Sequence, residues 1–103
     1  MGCVIRATTP TLKYTFKKVP VTDITQAYLS IARGDGTTVI EKSLEDATVG
    51  NGYIAWTLTQ AETLSIAAGS ASAMCNWLTN DGIRGATKKV GLTFERNYKE
   101  EVI

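Results

Sequence analysis

Histidine is absent from this chain of 103 residues, and with it the commonest general base and the commonest metal ligand. Cysteine is scarce. Cys3 and Cys75 stand alone, too few for a disulfide scaffold, and Cys75 reads as a small buried apolar residue. Neither sign of charge dominates: 11 Lys and Arg face 10 Asp and Glu, for a formal net charge of +1. That balance lacks the clustered basic surface of a nucleic-acid binder. Lys17-Lys18 and Lys88-Lys89 are only pairs, read as solvated strand positions. No apolar run approaches the ~20 residues that span a bilayer. Met1–Arg6 has neither the basic start nor the apolar core of a signal peptide, and Arg6 occupies the position where a myristoylation pattern needs Ser or Thr. The expectation is one soluble domain made in the cytoplasm, with no cofactor, no nucleic acid and no membrane partner.

Carboxylates are present but scattered. Asp35, Glu45, Asp46 and Asp81 fall in turn-like stretches, where Asp favours the local geometry. A calcium site made from Asp35, Asp46 and Asp81 at one end of the molecule has nothing to fix the 6–8 oxygens calcium takes. Gly34-Asp35-Gly36 superficially suggests a phosphate loop but lacks a following helix. No enzyme chemistry is expected.

What the chain does have is alternation. Gly52–Leu58 places Ile54, Trp56 and Leu58 on one side and Tyr53, Ala55 and Thr57 on the other, the period of a half-buried strand. The pattern breaks at Thr59, which with Glu62 has the spacing of a capping box and predicts one helical turn near residues 60–66. Leu12, Tyr14 and Phe16 predict another strand, with Lys13, Thr15 and Lys17 on its wet face. Pro20 ends it, and Val19–Ile24 reads as a connection. Ala27, Leu29 and Ile31 mark the next strand, and Gly34-Asp35-Gly36 a hairpin back along Thr38–Leu44. Glu45–Gly50 reads as loop. Ala71, Ala73, Cys75 and Trp77 alternate before the Asn80-Asp81-Gly82 turn, and Val90, Leu92 and Phe94 close the set. About seven short strands with regularly spaced turns and almost no helix predict an all-β, immunoglobulin-like antiparallel sandwich. A small barrel is the alternative. It is a single domain over residues 1–103, with an N-terminal strand or arm at 3–9 and a charged tail at 96–103.

Four separated segments carry a likeness. They are Ile5–Leu12 followed by Tyr14-Thr15-Phe16; Trp56–Leu64; Trp77–Ala86; and the closing Glu101-Val102-Ile103. In this order they resemble small structural proteins encoded by tailed bacteriophages and prophages of Firmicutes. A weaker similarity runs to the N-terminal domain of phage baseplate upper proteins. The resemblance implies a non-enzymatic virion component, tail- or baseplate-associated, that meets other virion proteins and copies of itself in a homo-oligomer or symmetric array. Capsid decoration and head–tail connection are the rival positions. The residues expected at such contacts are the arm (Cys3, Val4, Ile5, Arg6), adding a strand to a neighbour, the tail (Tyr98, Val102, Ile103), and turn residues Asp35 and Asp81 meeting a partner at one end. An alternative of another class is a carbohydrate- or receptor-binding module with Trp77, Tyr53 and Tyr28 on one stacking face.

Overall fold

A computed structural model describes residues 2–103. Alternation becomes pairing throughout. Strands β1 (Gly2–Ile5), β3 (Ile24–Arg33), β4 (Thr38–Ser43), β7 (Gly69–Thr79), β8 (Arg84–Ala86) and β9 (Val90–Glu95) form one sheet in the order β1-β9-β7-β3-β4, with β8 also on β7. Strands β2 (Thr11–Thr15), β5 (Thr48–Gly50) and β6 (Tyr53–Thr57) form the other, in the order β2-β6-β5. The two layers make the immunoglobulin-like sandwich. Helix α1 (Gln60–Leu64) lies between β6 and β7 and returns the chain from the small sheet to the large one.

The core is the inner face the alternation predicts. Ile54, Trp56 and Leu58 from the small sheet and Ala27, Leu29, Ile31 and Cys75 from the large one are fully buried. Trp56 reaches across the layers, and its indole N–H donates to the Ser43 carbonyl at 2.8 Å. Lys42 also crosses: its ammonium donates to the Thr57 carbonyl and to Glu62 at 3.0 Å. These bonds close the sandwich on the β4 side. β3 starts at Ile24, earlier than expected, because register shifts between Ile24 and Gln26 let buried Ile24 face inward as well. A second shift between Ile31 and Ala32 sets the phase of β4, so that Ile40 faces Ile31 in the core.

α1 begins as its sequence specifies. Glu62 N–H donates to the Thr59 hydroxyl at 3.1 Å, and Thr59 N–H to the Glu62 carboxylate at 2.8 Å. Its buried residue is Thr63, whose hydroxyl bonds the Thr8 and Gln60 carbonyls. Stretch 45–50, expected as loop, contains β5 and a capped turn in which Asp46 accepts from Ser43 N–H. Three residues are too few for alternation to register.

The capping box predicts a measurable contribution. Thr59→Ala is expected to cost about 1 kcal/mol, read from chemical denaturation. Burial pushes the Glu62 pKa up, but the Thr59 N–H and Lys42 outweigh it, and the net direction is down. Asp35, through the Thr37 N–H, and Glu100, through the Asn97 N–H, are also held low. A carboxylate held below its unfolded pKa contributes stability that is complete above that value and lost as pH falls through the folded one. Melting temperature should therefore drop as pH falls below about 4, and Glu62→Gln should make that drop shallower.

Candidate functional site: the open side of the sandwich

The two sheets are unequal in width, and the difference falls on one side. β2 lies over β7: the Phe16 and Trp77 rings meet edge to face at 5.1 Å, and Tyr14 lies beside Cys75. Beyond β7 the large sheet continues into the lane shared by β8 and β9, where Gly85 pairs Trp77 and Val90 pairs Ala73. Between them Thr87 bonds the Cys75 backbone through both its amide and its hydroxyl. Among the described residues the small sheet has no strand over this lane.

The consequence is visible in burial. Leu12, Tyr14 and Phe16 sit on the inner face yet stay half-buried. Val90 shares its face with buried Ala73 but is 43% exposed. At the far end of the lane, α1 and the crossing Arg6–Pro10 close the gap, and there Val4, Leu92 and Phe94 are buried. Burial lifts the Tyr14 pKa to about 12, so its hydroxyl stays protonated at neutral pH.

Trp77 caps this side at the loop end. Its ring lies flat on Gly85, where a Cβ would sit 2.3 Å from the indole Cζ2. With Phe16 it forms an apolar groove of about 460 Å³ flanked by Lys17 and Lys18. A second hollow of about 440 Å³ lies across the outer face, lined by Gln26, Tyr28, Glu41, Asn76, Trp77, Leu78 and Arg84.

The residues singled out from sequence fall in several places. Cys3, Val4 and Ile5 lie on β1, which pairs in parallel with β9 of the same chain, so the segment is not a free arm. Val4 is a core residue. Arg6 is committed internally: its guanidinium donates to the Leu64 and Ile66 carbonyls and pairs with Glu100 at 2.9 Å. Only the outer edge of β1 remains for a neighbour. The tail folds back on its own domain. Asn97 donates to the Arg6 carbonyl, and the Gln60 amide exchanges two hydrogen bonds with the Ile103 backbone. The side chains of Tyr98, Val102 and Ile103 nevertheless point outward.

Two expectations need correcting. Asp35 and Asp81 do not share an end. β3 and β7 are antiparallel with Arg33 opposite Ala71 and Ile24 opposite Thr79, so the two turns are separated by the strand length, about 30 Å. The same separation dismantles the calcium grouping, and Asp46 is occupied by its own capping turn. Trp77, Tyr53 and Tyr28 do not all share one stacking face either: Trp77 and Tyr28 line the outer-face hollow, and Tyr53 lies apart. Tyr28 is on the outer face of the large sheet. Tyr53 is on the outer face of the small one, its ring folded over Gly50 with the Lys13 ammonium 4.4 Å from its centroid. Cys3 and Cys75 face opposite sides of the large sheet with β9 between them, and both are free thiols. Missed in the sequence were Arg6 as a clamp and Gly85 as the seat of Trp77. Gly85 leaves a faint signal, a glycine in the strand after a hairpin; Arg6 leaves none.

No family model matches this chain, and no curated protein sequence does. Its structure is similar to the crystal structure of CopC from Methylosinus trichosporium OB3b, with a TM-score of 0.60 and 18% identity over 96% of this chain and 89% of that one. The V domain of amphioxus IgVJ-C2 aligns with 89% of this chain and 97% of its own, at 13% identity and a TM-score of 0.35. The first likeness concerns the β-sandwich fold alone, and the second carries no argument.

Two outcomes test this geometry. Gly85→Ala should push the Trp77 indole off its seat, costing about 1–3 kcal/mol and red-shifting tryptophan emission. A thiol reagent should titrate Cys3 alone in the native protein. Cys75, whose pKa burial raises to about 11, should react only on unfolding.

Proposed function

We propose that this chain is a non-enzymatic structural component of a tailed bacteriophage particle, working by contact with other chains. The tail or baseplate is the favoured location; capsid decoration and head–tail connection are rivals. The four segments that resemble phage structural proteins support the setting. The contact mode rests on one observation: the small sheet stops a lane short, so inner-face side chains of β2 and β9 stay half-exposed beside an unpaired strand edge. A sandwich that functioned alone would gain by covering that lane, since each buried apolar side chain contributes roughly 1.5–3 kcal/mol. A partner covers it instead. The carbohydrate-binding alternative keeps Tyr28 and Trp77 around one hollow but loses Tyr53, which lies on the outer face of the other sheet.

The test is composition. Particles purified from a bacterium carrying this gene should contain the chain in fixed stoichiometry to the other structural proteins, by quantitative mass spectrometry. Its absence from intact particles would contradict the proposal.

A further inference from the structure

We infer that the outer edge of β2 is an acceptor for an extended, acidic segment of a partner protein, bound as an added strand. This deepens the contact reading above and rests on it. The backbone argument comes from parity. Phe16 N–H donates to the Gly52 carbonyl and Leu58 N–H to the Pro10 carbonyl, so the even-numbered residues of this strand bond to β6. In an antiparallel ladder the residues between them turn their N–H and C=O the other way. Thr11, Lys13 and Thr15 therefore direct their backbone groups at the open lane. Such a row is a template for strand addition.

The side chains state what kind of strand fits. An added strand would lie over the β8–β9 lane, its inward residues falling on Thr87 and Val90 beside Leu12 and Tyr14. Apolar residues suit that floor. Its outward residues would run beside Lys13, with Lys17 and Lys18 at one end and Lys88 in the lane itself. Among the described residues none of these four lysines forms an ion pair. Lys17 and Lys18 flank the groove at this opening, whereas Lys89 turns to the outer face of the large sheet beside Ser72 and Met74. Opposite charges across a strand pair stabilise it and like charges oppose it. The favoured occupant is thus a segment alternating apolar and carboxylate side chains.

The probe is a blocked heptapeptide alternating valine and glutamate, compared with its valine–lysine counterpart, by titration calorimetry on the wild-type protein. The glutamate peptide is expected to bind at least about tenfold more tightly. Thr15→Pro removes an outward N–H that makes no internal bond, and should abolish binding without lowering the melting temperature. Lys13→Glu, which leaves the backbone untouched, should narrow the preference between peptides while Lys17, Lys18 and Lys88 remain. Equal affinities, or binding that survives Thr15→Pro, would overturn the assignment. So would self-association that Thr15→Pro abolishes, which makes the occupant a second copy. Tight binding of single-stranded DNA by wild-type and Thr15→Pro protein alike would also overturn it, in favour of a polyanion. Failure here with the chain present in particles removes this site alone. Peptide binding with the chain absent from particles removes the virion setting alone.

Discussion

The structure depends on a mismatch: a sheet five lanes wide faces one of three. On the β4 side the mismatch is absorbed, because Trp56 and Lys42 reach across and bond the facing layer. At one end of the opposite side it is absorbed again by α1 and the Arg6 crossing. What is left over is a lane beside β2, floored by Thr87 and Val90 and capped by Trp77. Burial there is incomplete for a geometric reason. No substitution of a larger side chain closes a gap that needs a strand and its hydrogen bonds.

Around that opening the chain is unusually tied to itself. Arg6 joins β1, α1 and the tail in one cluster, with Glu100 and Asn97 completing it. Ala7, beside it, is held at φ 67°, a left-handed conformation that a residue with a Cβ adopts at a cost of about 1–2 kcal/mol. The crossing from β1 to β2 is short and must turn sharply, and the Thr8 hydroxyl braces it against the Ile5 carbonyl.

Much of this fold was legible in the sequence wherever alternation ran for five residues or more. The inner faces of β2, β3, β6, β7 and β9 follow directly from Leu12, Leu29, Trp56, Cys75 and Phe94 and their neighbours. The Thr59–Glu62 capping box located α1 because capping is a local interaction, settled within four residues. Partnership is not local. Nothing in Cys3-Val4-Ile5 says that it pairs with β9 rather than with a neighbour, since a short apolar strand suits either. Asp35 and Asp81 looked alike because both are hairpin residues; only strand direction shows that they are far apart. The candidate contact site was illegible for the same reason, since it lies where, among the described residues, the small sheet has no strand.

The most direct test of the central claim is residue-resolved amide hydrogen exchange in the isolated protein. The account predicts alternation along a single strand, with slow exchange at Leu12, Tyr14 and Phe16 and fast exchange at Thr11, Lys13 and Thr15. Uniform protection at all six amides would mean that the edge is already covered, and would contradict it.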